Sequence, residues 1–213
     1  GSTFKPLTVA MGIDSNIIEK NMKFDVSKKI KHITDWEPCN CTLSVKDIIV
    51  KSSNIGTAKI AKLIGKNNQI NFFKKIGFYD RVNIDLIEAA KPYGQPHNWG
   101  IIETMTIGYG HGFGITPMHL AVAYNALLND GKKMDPKIIL KNEKNNYTSV
   151  IKKETSDYIS KLLRAVITES KYTGPRVNIP GYEIGGKTGT AELVNKGKYD
   201  DNLNRNIFVG AFP

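Results

Sequence analysis

Three short strings in a fixed order constrain this chain of 213 residues more than any other feature. They are Ser2-Thr3-Phe4-Lys5, Ser52-Ser53-Asn54 and Lys187-Thr188-Gly189. Alone, each is weak. A second S-x-x-K stands at Ser149-Val150-Ile151-Lys152, and S-x-N fixes only two letters. Order, spacing and flanking residues make the set specific.

The first string reads as an activated nucleophile. Residues three apart share a helix face, so Ser2 and Lys5 can bring hydroxyl and amine within reach. A serine hydroxyl needs a base to take its proton, and a lysine can serve only when neutral. Burial and a second cation both lower a lysine pKa, and Lys187 is the candidate cation. A serine at a helix start also gains from the positive end of the dipole as its oxygen becomes anionic. Pro6 is tolerable there, because the first N–H groups of a helix lack partners. The plainer account makes Ser2 an ordinary N-cap.

The second string follows a predicted helix from Val45 to Lys51, capped by Ser44 with Asp47 three residues on. Val45, Ile48 and Ile49 form its apolar stripe. A further helix is predicted from about Ile55 to Ile64, with Gly65 as its stop. Ser52 and Asn54 then fall in a tight connection, where a hydroxyl can relay protons and a carboxamide can bind a peptide. Serine and asparagine are also ordinary cap and turn residues.

The third string has a competing reading. Gly181-Tyr182-Glu183-Ile184-Gly185-Gly186-Lys187-Thr188 matches the Walker A phosphate loop letter for letter, and that loop needs a helix after it. Gly189-Thr190 and the polar stretch Asn195-Lys196-Gly197-Lys198 follow instead, with no helical apolar face. A strand from about Glu183 to Leu193, a turn and a returning strand from Arg205 fit better. In the return, Ile207, Val209 and Ala211 alternate with Phe208, Gly210 and Phe212. A P-loop nucleotide-binding protein is the remote alternative.

The remaining sequence sets limits. Hydrophobic residues at 40% and charged residues at 23% are ordinary for a soluble globular domain. The net charge of +10 is spread along the chain without an aromatic-basic stripe, which argues against nucleic acid. Thr116-Pro117 starts a predicted helix with Leu120, Tyr124 and Leu127 on one face and Gly131 as its stop. Thr155 or Ser156 caps another, carrying Ile159, Leu162, Leu163 and Val166. The stretch from Asp80 to Gly100 reads as a long connection, and Lys141 to Ser149 as a surface loop. Gly108 to Gly114 is glycine-rich, but Phe113 breaks the dinucleotide fingerprint, so a turn before the Thr116 helix is expected. Cys39 and Cys41 point to opposite faces of an extended segment, where a bridge would be strained. With His32 they fall short of a closed metal site, and His97, His111 and His119 show no metal spacing. No metal or cofactor is expected. No run of 18 apolar residues crosses a membrane.

With its context, the set resembles the transpeptidase domain of class B penicillin-binding proteins of the division-specific type. S-x-x-K, S-x-N and K-T-G are the strings of serine acyl-transfer enzymes that react with penicillin. The likeness extends through Lys51-Ser52-Ser53-Asn54-Ile55-Gly56 and Ala58-Lys59-Ile60-Ala61. It continues in Gly108-Tyr109-Gly110, Thr116-Pro117, Leu120-Ala121 and Tyr124, and in Gly185-Gly186-Lys187-Thr188-Gly189-Thr190-Ala191.

The resemblance implies an α+β fold of the penicillin-binding protein and β-lactamase type. A mainly helical lobe over residues 1–171 would be joined to an incomplete antiparallel sheet in a strand-bearing segment over 172–213. Ser2 would be acylated by the D-Ala-D-Ala end of a peptidoglycan stem peptide, with Lys5 as general base. Ser52 would pass a proton to the leaving amine, and Asn54 would hold the substrate amide. Lys187, Thr188 and Thr190 would hold the terminal carboxylate within the Lys187-Thr188-Gly189 string, and the N–H groups of Ser2 and Thr190 would form the oxyanion hole. β-Lactams would bind covalently, and division proteins would be partners of the full-length protein. The resemblance also implies an inner-membrane anchor and an extra domain before Gly1, with this domain in the periplasm. Family members carry strands before the nucleophile helix and further strand and helix after the K-T-G hairpin. Their absence from this chain leads us to expect a loosened cleft and a sheet less reliably folded than the helices. A β-lactamase or penicillin sensor is an alternative, as is an inert fragment serving as an interaction module. Glu88, Glu103 and Glu169 offer no recognisable activator of water for a lactamase.

Overall fold

The computed structural model describes residues 1–94, 99–139, 146–195 and 198–212. The chain opens with a 3-10 turn, Ser2–Phe4, that runs directly into α1, Lys5–Asp14. A short strand pair follows, β1 (Lys23–Asp25) and β2 (Thr42–Ser44), and then α2 (Val45–Val50), α3 (Asn54–Ile76) and α4 (Ile101–Gly108). Next come α5 (Pro117–Leu128), β3 (Lys132–Met134), β4 (Tyr147–Ser149), α6 (Lys153–Glu169) and α7 (Gly174–Val177). The chain closes on the hairpin of β5 (Gly185–Asn195) and β6 (Lys198–Ala211). The three strand pairs are all antiparallel.

Helix α1 is the axis of the molecule. Every residue from Lys5 to Ile13 is buried, as expected of a helix that is apolar on most sides. At its start Phe4 meets Phe73 of α3 edge-on at 5.7 Å and Phe78 at 5.6 Å. Helix α3 packs alongside with Ile55, Ala58, Ile60 and Ala61 inward, and α6 closes the other side with Ile159, Leu162, Leu163 and Val166. Each fully buried aliphatic side chain in this set contributes about 1.5–3 kcal/mol.

The elements follow local chemistry, with several corrections. The Ser44–Asp47 capping box on α2 is formed as expected. Gly65 does not end the second-motif helix. It kinks a 23-residue helix at φ 76°, a conformation open to glycine, and helical turns resume to Ile76. Helix α4 lies between the connection that ends at Gly100 and the glycine-rich turn that begins at Gly108, where the sequence reading placed no element. Helix α5 starts at its Thr116 cap, whose side chain accepts from the His119 N–H. Helix α6 begins at Lys153, before Thr155 and Ser156, because its cap is tertiary: Asp14 Oδ1 accepts from the Lys152 N–H at 2.6 Å and from Thr155 Oγ1 at 2.9 Å. Part of the expected loop after Lys141 is strand, since Tyr147–Ser149 pair with Lys132–Met134. The returning strand of the hairpin begins at Lys198, before Arg205. His97, the first residues of that surface loop and Lys196-Gly197 lie outside the described residues.

Cys39 and Cys41 are disulfide-bonded, against the sequence expectation. Asn40 and Cys41 lie in a bend rather than an extended strand, and the Cα atoms are 5.2 Å apart. That spacing is within disulfide reach.

Candidate active site

The 3-10 turn that carries Ser2 is fixed from two directions. Tyr124 of α5 donates its buried hydroxyl to the Thr3 carbonyl at 2.8 Å, and Phe4 N–H donates to the Gly1 carbonyl at 3.0 Å. One helical turn on, Lys5 is wholly buried, and its Nζ donates to the Ser52 carbonyl and to Ser52 Oγ, the latter at 3.0 Å. The first two strings therefore meet through Lys5.

Ser52 lies between α2 and α3 with φ at 58°, an uncommon region for a residue other than glycine. Ser53 caps α3 by accepting from the Gly56 N–H at 2.9 Å. Asn54 begins the helix and donates its Nδ2 to the Thr34 carbonyl at 2.8 Å.

The third string arrives on β5. Its register sets Lys187 opposite Val209, Thr188 opposite Phe208, Gly189 opposite Ile207 and Thr190 opposite Asn206. Lys187 and Gly189 face inward and are buried, whereas Thr188 and Thr190 are exposed, following the two-residue period of a strand. Gly189 is required by proximity: a Cβ there would lie 3.1 Å from the Thr3 nitrogen and 3.4 Å from the Ser2 nitrogen. The strand therefore lies directly against the 3-10 turn that carries Ser2. Arg164 of α6 braces its entry, donating to the Ile184 carbonyl at 2.8 Å. Thr190 Oγ1 donates to Asn206 Oδ1 at 3.1 Å. With Lys187 in mid-strand and no helix behind it, the phosphate-loop reading fails on geometry.

Two buried lysines give the site its electrostatics. Burial holds Lys5 well below the usual lysine pKa, the charge of Lys187 lowers it further, and Asp35 opposes both. Burial also brings Lys187 down to about 8, while its Nζ donates to the Thr188 carbonyl at 3.0 Å. A lysine in such surroundings can be neutral and accept a proton near neutral pH. Beside the Ser2 turn opens a cavity of about 570 Å³, lined by Thr3, Tyr93, His111, Ala191 and Arg205 among others. Burial foremost holds His111 below the usual histidine range.

The sequence did not disclose the supports. Asp35 accepts from Ser53 Oγ at 2.6 Å and from the Ile55 N–H at 2.9 Å, across 18 and 20 residues. No local pattern announces such a contact. His119 is a core residue, bonded to Thr116 Oγ1 and to the Asp80 carbonyl.

A buried lysine touching a serine of a second motif, beside a serine-bearing helix start and under a K-T-G strand, is the architecture of a serine–lysine acyl-transfer site. The chain belongs to the penicillin binding protein transpeptidase domain family, whose model matches residues 1–213. It is 34% identical over its whole length to the "Probable peptidoglycan D,D-transpeptidase FtsI" of Caulobacter vibrioides, covering 38% of that protein. It is 30% identical, again over its whole length, to the "Probable peptidoglycan D,D-transpeptidase PenA" of Neisseria flavescens, covering 54% of it. The transpeptidase domain of Burkholderia pseudomallei penicillin-binding protein 3 superposes with a TM-score of 0.89 at 32% identity. That match covers 99% of this chain and 65% of the other. The chain thus spans about two fifths to about half the length of these curated relatives. Among the described residues, no helix is long and apolar enough to cross a membrane.

Proposed function

We propose that this chain is the acyl-transfer part of a peptidoglycan D,D-transpeptidase acting in septal cell-wall synthesis. The observation that carries the reading is the bond from buried Lys5 Nζ to Ser52 Oγ, one helical turn from Ser2. Neutral Lys5 takes the Ser2 hydroxyl proton as Oγ attacks the carbonyl of the penultimate D-alanine. The N–H groups of Ser2 and Thr190 receive the oxyanion. The C–N bond then breaks, and Ser52 returns the proton to the departing D-alanine amine. Asn54 holds the donor amide, and Lys187, Thr188 and Thr190 hold its terminal carboxylate. An amine from a neighbouring stem then attacks the Ser2 ester, forms the new amide and frees Ser2. A β-lactam enters as a mimic of the donor and leaves a slow ester on Ser2.

The structure favours this reading over a β-lactamase. Glu103 accepts from the Gly100 N–H at the start of α4, and Glu169 pairs with Lys46 at 2.9 Å. Glu88 is exposed on the connection before α4. The relatives' names support a place in peptidoglycan synthesis, and a substrate of that kind puts this domain on the periplasmic side in our reading. We assign the inner-membrane anchor and the division partners to the full-length protein.

The test is intact-mass measurement after exposure to a β-lactam, on the parent and on Ser2→Ala. A single persistent adduct on the parent, absent from the variant, is expected. Rapid hydrolysis of the drug without a lasting adduct would make the protein a lactamase. No adduct on a folded parent would make it an inert module.

A further inference from the structure

Ser52 keeps a left-handed backbone posture that costs a serine free energy and persists only where its neighbours over-determine it. Lys5 Nζ holds its carbonyl and its hydroxyl from one side. From the other side, the excursion of chain between β1 and β2 reaches across the motif. There the Thr34 carbonyl takes the Asn54 Nδ2, and the two Asp35 oxygens take Ser53 Oγ and the Ile55 N–H. Both oxygens of Asp35 are thus committed to the residues just after Ser52, in bonds strengthened by the carboxylate charge. The excursion is itself anchored: Ile33 is buried, the Val26 N–H donates to the Cys41 carbonyl at 3.0 Å, and the disulfide ties Cys41 to Cys39.

The site also holds an imbalance of charge. Lys5 and Lys187 are both buried, and among the described residues the His111 imidazole, itself acted on by Lys5 and His32, lies in the same region. Asp35 is the carboxylate that acts on Lys5. We infer that Asp35 is a positioning residue for the acyl transfer: its carboxylate holds Ser52 and Asn54 in working posture and supplies the negative charge that acts on buried Lys5. The inference rests on the reading of Ser2 as nucleophile and Lys5 as base.

The test compares the parent with Asp35→Asn and Asp35→Glu by two readouts. One is the rate of acylation by a fluorescent penicillin as a function of pH. The other is the NMR titration of isotope-labelled lysine side chains, which needs no activity. Asp35→Asn is expected to slow acylation about 10–100-fold, the scale of a misplaced catalytic group. Losing the anion makes Lys5 lose its proton more readily. The acid limb of the rate profile and the Lys5 titration midpoint should therefore both move to lower pH. Asp35→Glu keeps the charge and shifts the carboxylate, so its rate falls while its midpoint stays with the parent. A purely structural residue would lower the rate equally at every pH and leave the midpoint in place. A folded Asp35→Asn protein with the parent's Lys5 midpoint overturns the inference. If the parent takes no adduct, the acyl-transfer reading falls, and the lysine titration still decides the role of Asp35. Should Asp35→Asn fail to fold, Asp35→Glu decides, because a parent-like acylation rate there overturns the positioning role.

Discussion

At the scale of single residues, the site turns on two lysines that the fold keeps out of water. Lys187 is 2% exposed, and its pKa of about 8 lies below the ordinary 10.5 because its charged form is poorly solvated. Between those two values the unfolded chain binds more protons than the folded one, so stability rises with pH through that window. Below about pH 8 the penalty on charged Lys187 is fully present and amounts to about 3 kcal/mol. Lys5 adds to the same trend, since its shift has the same direction. Denaturant unfolding should therefore show the parent gaining stability as the solution is made alkaline from pH 8. Lys187→Met should be the more stable protein at neutral pH, with the difference shrinking as pH rises. Identical pH profiles for the two proteins would contradict this account.

At the scale of elements, local chemistry sets most boundaries and tertiary contacts set the rest. The α2 capping box and the Thr116 cap of α5 were legible because each lies within four residues of sequence. The start of α6 was not, because its cap comes from Asp14, more than 130 residues away. Asp14→Ala should cost about 1 kcal/mol, as the loss of a helix cap does. Thermal unfolding would check this, and an unchanged midpoint would show that Lys152 and Thr155 are satisfied without Asp14. Gly65 misled as a stop because a glycine that breaks a helix in isolation only kinks it when both halves pack. Here Ile60 and Ile64 before the kink and Phe72 and Phe73 after it are buried. Helix α4 escaped notice because it is short and sits among glycines. The cysteine bridge is not legible in the sequence because it depends on a bend at Asn40 and Cys41 that no local pattern marks. For the candidate site, the three strings foretell the Lys5–Ser52 contact and the approach of Gly189 to the Ser2 turn. Thr34, Asp35 and the Tyr124 hydroxyl were not legible, because they act through contacts that no short spacing encodes.

At the scale of the whole molecule, three strings spread over the chain converge because three elements share one buried helix. The 3-10 turn begins α1, the connection from α2 to α3 reaches Lys5 on it, and β5 lies against the turn at Gly189. Lys5 is the point where these contacts meet. The most direct measurement is therefore the rate and position of β-lactam acylation in the parent and in Lys5→Ala, with folding checked by near-ultraviolet circular dichroism. The account predicts an adduct on Ser2 of the parent and a loss of acylation rate of at least about 100-fold in folded Lys5→Ala, the scale of a lost general base. An adduct forming on Ser2 of Lys5→Ala at the parent rate, or an adduct on another residue of the parent, would contradict it.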